Sequence, residues 1–343
     1  MSEIGSVIQN NLPPRPSTPS SSGRRLLRIG LRAAIGVLIV VFLLSRTNIH
    51  SLIDSLSHAR PGYVAMAFAV LLVGLVVNAF RWQLFLRPLG LGLPATTLIR
   101  LTFVGTFFNA FLPTGFGGDA YKSFHLRGHL RGESASMSPP LAAVFLDRLA
   151  GLVGLAILGL AGSVVRLMAG DYSGVVLAAS LSSFGVLAAS GSALMLAPRW
   201  GVTASGSARM VSSLRLFAQA FASAGREAQA LRWGVVVGIV SALLLVAVNA
   251  LLAASLRISV PGAAWPGIVL IASLMTIVPL SINGLGFRES AYVWCLAAYG
   301  IGHDEALAFA VLVLAVTLAS CAVGGVVYAV ASGGIERRFA PTR

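Results

Sequence analysis

Ionisable side chains are sparse in this sequence, and Arg81, Asp119, Lys122, Asp147, Arg148, Arg288 and Glu289 all fall within or beside long apolar runs. A charge at the centre of a bilayer costs at least about 2.5–3.5 kcal/mol on insertion scales, so each of these groups calls for a partner or for water. If all converged, the four cations would outnumber the carboxylates by one, and such a chamber suits a phosphate-bearing ligand. The plainer alternative is that they pair off and fix the packing. Asp119 and Lys122 stand three apart and share a helix face, with Ser123 beside them. Asp147 and Arg148 are neighbours, as are Arg288 and Glu289, and neighbours on a helix point about 100° apart. The expected pairs therefore cross between helices: Asp147 with Arg288, or Glu289 with Arg148. Arg81 ends its apolar run and either joins the set or snorkels to the interface. Asp119 and Glu289 are of the right type for an acid and a base, yet no spacing requires catalysis. Lys122 is the only lysine among 25 basic residues.

Two interruptions of the apolar pattern carry most of these charges. The first reads PTGFGGD at 113–119 and the second PLSINGLGFRE at 279–289. Each places a proline at the end of an apolar helix, then glycines, then ionised residues opening a new helix. Pro113 and Pro279 remove a backbone donor and clash with the preceding turn. Gly115, Gly117, Gly118, Gly284 and Gly286 permit positive φ or close backbone approach. In hydrocarbon a broken helix must be buried in protein or line a wet cavity. A helix restarting there aims free N–H groups and a partial positive charge at the break, which suits an anion. The prolines stand 166 positions apart, and the spans that follow, at about 140 and 305, are 165 apart. That recurrence suggests an inverted-topology repeat. Asn283, within the second break, joins the candidate binding set.

These residues must be held by membrane helices. Of 343 residues, 57% are hydrophobic and 10% charged, with a mean hydropathy of +0.86. A soluble domain carries about 25% charged residues, so this composition cannot coat a water-facing globule. The net charge of +14 does not point to nucleic acid, because the basic residues sit at helix ends and loops. Cys295 and Cys321 lie in apolar stretches and read as small hydrophobes. His125 and His129 share a helix face, but no third ligand stands at metal-binding spacing. Neither a metal nor a cofactor is expected.

The fold class read from this pattern is an all-α integral membrane protein with six full spans and two broken helical hairpins in two inverted halves. Residues 1–23 are a polar, Ser- and Pro-rich tail expected to be disordered. The first half covers 24–170, with spans near 30–45, 62–80 and 140–165 and a hairpin at 97–127 split at Pro113. The second half covers 171–335, with spans at 174–197, 233–256 and 305–332 and a hairpin at 263–300. Segment 199–232 reads equally as an amphipathic surface helix or a basic loop. Residues 336–343 form a basic tail. Arginines before the first span and after the last place both termini in the cytoplasm. The first hairpin then enters from the cytoplasmic side and the second from the opposite side.

LPTGFGGDAYKSFHL at 112–126, VFLDRLAGL at 144–152 and NGLGFRESA at 283–291 resemble the three signatures of the flippase-like, lysylphosphatidylglycerol synthase transmembrane-region family. The resemblance covers about 30–335. It implies a lipid-handling protein of a bacterial cytoplasmic membrane. The polar core it implies is Asp119, Lys122, Asp147, Arg148, Arg288 and Glu289. The sequence ends with ERRFAPTR just after the last span, so a soluble synthase domain is not expected and the substrate need not be lysylphosphatidylglycerol.

The functional expectation is translocation of an anionic or phosphate-bearing lipid or glycolipid between leaflets, through a polar cavity between the hairpins. One hairpin would hold the headgroup through Asp119 and Lys122, the other through Arg288 and Glu289. The glycine breaks would let the hairpins rock. An integral membrane transferase acting on a lipid phosphate is the alternative, as is a non-catalytic membrane partner of a lipid-modifying synthase.

Overall fold

Long runs of Leu, Val, Ala and Gly without interior charge form helices that are apolar on every side. The boundaries come from a few special residues. Pro61 opens the first described helix, α1 (Pro61–Leu86), at the position where a missing N–H costs nothing. The helix tightens into a 3-10 turn over Arg87–Leu89 and stops at Gly90, whose φ is 72°. The structure is a computed structural model that describes residues 54, 56–111, 117–127, 138–200, 218, 219, 221, 222, 227–277 and 284–339. Pro113, Gly115, Pro279 and Asn283 lie outside these residues, as do the expected span at 30–45, the 1–23 tail and His129.

Eight further helices follow: α2 (Ala95–Phe111), α3 (Gly117–Arg127), α4 (Ser138–Met168), α5 (Gly174–Trp200), α6 (Ala228–Ser255), α7 (Trp265–Ile277), α8 (Phe287–Ala297) and α9 (His303–Phe339). The described residues contain no strand. Helices α1, α4, α5, α6 and α9 are long and apolar enough to cross a membrane. The paired α2–α3 and α7–α8 are shorter, as the two hairpins require. Most of segment 199–232 lies outside the described residues. Within it, Phe221 is buried and sits edge-on to Phe145, with ring centroids 5.9 Å apart. Helix α9 continues through Arg337 and Arg338 to Phe339.

Two buried clusters organise the interior. One joins Trp82, Phe85, Leu86, Leu126, Leu146 and Phe221, and so binds α1, α3 and α4 together. The larger one surrounds Trp265, Ile268, Tyr292 and Phe309 and includes Cys295, which is fully buried. Outside, large apolar residues such as Leu181, Phe184 and Met195 are mostly exposed, as expected of a surface that faces hydrocarbon. The helices approach closely where both lack bulk. A Cβ on Gly154 would stand 2.3 Å from the Gly238 carbonyl carbon, so α4 and α6 meet backbone to backbone.

The shorter helices pack on long helices distant in sequence. Helix α4 packs on α7, and α9 packs on α2. Each hairpin also packs on the span that follows it, α3 on α4 and α8 on α9, while α1 and α6 pack along each other.

Candidate functional site

Arg81 lies in the last two turns of α1 and points at α4. Its Nε donates to Asp147 Oδ1 at 2.7 Å and its Nη2 to Oδ2 at 3.3 Å. Both residues are buried, and a two-pronged guanidinium–carboxylate bond is the arrangement that makes such burial tolerable. Gly151, one turn beyond Asp147, makes the space: a Cβ there would lie 2.9 Å from Arg81 Nη1. Arg81 is therefore an interior residue and does not snorkel.

Arg148, the next residue, turns to a different helix and pairs with Asp119 near the start of α3. Lys122, one turn further along α3, places its Nζ 5.1 Å from the ring centroid of Trp82 on α1. It feels the carboxylates of Asp119 and Asp147 and the guanidiniums of Arg148 and Arg81. Five ionisable side chains, three basic and two acidic, thus gather from α1, α3 and α4. Backbone contact holds α3 in place: a Cβ on Gly118 would fall 1.9 Å from the Gly105 carbonyl oxygen, so α2 and α3 touch directly there.

The second break differs from expectation. Arg288 pairs with its neighbour Glu289, Nη2 to Oε1 at 3.0 Å. The pairing is possible because both sit in the first turn of α8, where side chains swing back past the helix end. Glu289 Oε2 also accepts the Gly286 N–H at 2.6 Å, which is one half of a capping box, since glycine has no side chain to return the bond. Gly284 and Gly286 carry φ of 72° and 85°, which suits only glycine without strain. The expected pairs Asp147–Arg288 and Glu289–Arg148 therefore do not form, because each carboxylate finds a nearer cation.

The two helix starts differ from expectation as well. Glu289 caps the α8 N-terminus, and Asn109 Oδ1 accepts the Gly118 N–H at the start of α3, at 2.8 Å. One backbone N–H at each start is thus already bonded to the protein's own side chain.

A cavity of about 420 Å³ opens between α1, α4, α6 and α7. Its walls are mainly apolar, from Leu71, Leu75, Leu152, Leu245 and Val248 among others. Arg81 and Arg148 reach it, whereas their partners Asp147 and Asp119 are not among its lining residues. Both arginines therefore border the cavity while their guanidiniums are engaged by carboxylates that do not. Lys122, Arg288 and Glu289 do not line it either. Among the described residues this cavity lies between α1, α4, α6 and α7, and α7 alone of the four shorter helices lines it.

Sequence reasoning missed four polar lining residues: Asn78, Ser241, Ser273 and Thr276. Asn78 was the most accessible of these, since it stands one turn before Arg81 and on the same face. Serine and threonine bond back to their own helix too often to stand out.

Comparison with known protein families gives one match, to the family described as lysylphosphatidylglycerol synthase TM region, over residues 29–325. No curated protein matches the chain. The matched stretch contains every described helix of the hairpins and both charge groups. The chain belongs to the lysylphosphatidylglycerol synthase TM region family, and it is a multi-pass helical membrane protein tied by that family to lipid metabolism.

Proposed function

We propose that this protein moves an amphipathic, phosphate-bearing lipid between the two leaflets of a bacterial cytoplasmic membrane. The observation that carries the reading is the cavity: apolar over most of its wall and bordered by two arginines, Arg81 and Arg148. Apolar walls suit acyl or polyprenyl chains, and paired guanidiniums suit phosphate oxygens. The paired carboxylates lower the cost of burying the arginines, while the surplus of basic over acidic side chains favours an anionic ligand. A phosphate entering the cavity competes with Asp147 and Asp119 for the two arginines. Binding would therefore loosen the ties between α1, α3 and α4, which is the kind of coupling a moving hairpin needs. In this reading Asp119, Lys122, Asp147, Arg148 and Arg81 form the headgroup region, and Arg288 and Glu289 hold the second hairpin in shape.

The arrangement of halves supports an alternating mechanism. The brace of α4 on α7 mirrors that of α9 on α2, with α1 and α6 paired between them, as an approximate two-fold relation between inverted halves would produce. With both termini in the cytoplasm, the arginine end of the cavity lies towards the cytoplasmic leaflet.

The test uses the full chain in liposomes containing a trace of phosphatidylglycerol labelled on one acyl chain. A quencher added outside reports how much label becomes exposed. Protein-dependent exchange that fails in Arg81→Gln and persists in Leu181→Ala supports the reading. No exchange in the intact protein overturns it. A change in the lipid's mass would instead favour the transferase reading.

A further inference from the structure

The cavity between α1, α4, α6 and α7 is closed at one end and open at the other. Towards the closed end, Leu155 and Val248 line it and are buried in the larger core cluster. Of its described lining residues only Phe145 on α4 and Ile277 on α7 are exposed, at 51% and 45%. These two lie at the same end. Gly159 of α4 packs on Leu270 of α7, and Gly162 packs on Ala263 just before α7, so the two helices run antiparallel. They touch around those glycines, and the cavity lies between them further along, towards Phe145 and Ile277. Arg148 stands one turn from Phe145 on the same face of α4. Its side chain is 39% exposed, against 8% for Arg81, so Arg148 belongs to the mouth and Arg81 to the interior. The surroundings of the mouth are apolar, since Leu141 and Met275, close by on α4 and α7, are exposed as well. An edge-on contact with Phe221 fixes one side of Phe145.

We infer that Phe145 and Ile277 flank a side entrance from the bilayer, through which a lipid brings its phosphate to Arg148 first and Arg81 second while its chains stay among the apolar residues of the mouth. The inference rests on the translocation reading above and adds the route of entry and the order of contacts. Exposed phenylalanine and isoleucine around an aqueous mouth would hold apolar surface in water, which is unfavourable, whereas beside hydrocarbon they carry no such cost. A cation one turn from exposed apolar side chains matches the boundary of a phospholipid, where the phosphate meets the chains. A water-soluble phosphate compound would match Arg148 alone. Phe145 is the largest apolar side chain of the described mouth, and a bulkier group in its place obstructs the passage.

The experiment uses the full-length protein in liposomes with Phe145→Cys, Ile277→Cys or Phe184→Cys, each modified with a nitroxide spin label. The native Cys295 and Cys321 are buried, which directs the label to the introduced thiol. Phe184 on α5 is exposed and lines no part of the cavity. Relaxation of the nitroxide by oxygen, which dissolves in hydrocarbon, is compared with relaxation by a nickel chelate, which stays in water. Labels at 145 and 277 should favour oxygen over nickel as the label at 184 does. The label at 145 should also slow exchange of labelled phosphatidylglycerol by about tenfold or more, the effect of about 1.4 kcal/mol on a barrier, and the label at 184 should leave exchange unchanged. Relaxation dominated by nickel at either 145 or 277 overturns the side entrance, as does exchange that the label at 145 fails to slow. Absence of exchange in the unlabelled protein overturns the translocation reading instead, and the oxygen-to-nickel ratio still decides whether the mouth opens to the bilayer.

Discussion

The two breaks look alike in sequence and do different things in the structure. At the first, Asp119 and Lys122 reach across to Arg148 and Trp82, and the network extends through Asp147 to Arg81. At the second, Arg288, Glu289 and Gly286 satisfy one another within a single helical turn. One network ties three helices together beside a cavity. The other is a local cap that fixes how one helix begins. The lesson is that a charge at membrane depth is informative only through its partner. A partner on another helix makes the charge sensitive to helix movement, whereas a partner in the same turn makes it part of a hinge.

The largest expected effect tests that contrast directly. Arg81→Gln leaves Asp147 buried without its cation, which costs about 3–5 kcal/mol. Arg288→Gln leaves Glu289 still bonded to the Gly286 N–H, so the cost should be about 1–2 kcal/mol. Thermal unfolding of the two detergent-purified variants measures the gap, and equal losses would erase the distinction. Adding Asp147→Asn to Arg81→Gln removes the stranded charge. The double variant should recover much of the stability and none of the lipid exchange.

The next effect concerns the glycines that shape each region. In Gly151→Ala the new methyl meets the Arg81 guanidinium, and overpacking of this kind costs about 1–3 kcal/mol. Gly286→Ala instead forces an L-residue to φ 85°, at about 1–2 kcal/mol. The stability losses are similar, so lipid exchange is the discriminating readout. Gly151→Ala should slow it sharply at the cavity, and Gly286→Ala should slow it less. The reverse order would make the second hairpin the substrate-handling one.

Much of this was legible in the sequence, for physical reasons. Composition and run length fixed the all-helical membrane class, and proline with glycine marked where α2 gives way to α3 and α7 to α8. The ionisable residues were readable as interior because hydrocarbon leaves them few options. Their partners were not readable. Spacing along one helix says nothing of which neighbour faces it, and Arg288–Glu289 depends on side chains folding back over a helix start. The cavity was hidden for a related reason. Helices that are apolar on every side do not show which face turns inward, so Gly74, Ser241 and Thr276 could not be assigned to a common wall. Asn78 offered the one usable signal, as an amide one turn from a buried arginine.

The smallest expected effect comes from the same pair chemistry at the partly exposed junction of α4 and α5. Between α4 and α5, Arg166 donates to Asp171 Oδ2 through Nε at 3.0 Å and Nη2 at 2.7 Å. Asp171 Oδ1 accepts the Ser173 N–H at 3.0 Å. That amide first, and Arg166 second, holds the Asp171 carboxyl below the usual carboxylate range. A lowered carboxylate pKa stabilises the fold above the unfolded value near 4, and the contribution is lost as pH falls through the folded value. Protection of the Ser173 amide from hydrogen exchange, relative to its intrinsic rate at each pH, should stay level from neutral pH to about 4 and decline below it. In Asp171→Asn protection should be lower by on the order of two- to fivefold and insensitive to pH, with global stability almost unchanged. Solvent reaches this pair more than it reaches Arg81–Asp147, and the Ser173 amide still bonds the position after the change. A loss in Asp171→Asn as large as that in Arg81→Gln would mean that burial is not what sets the two apart.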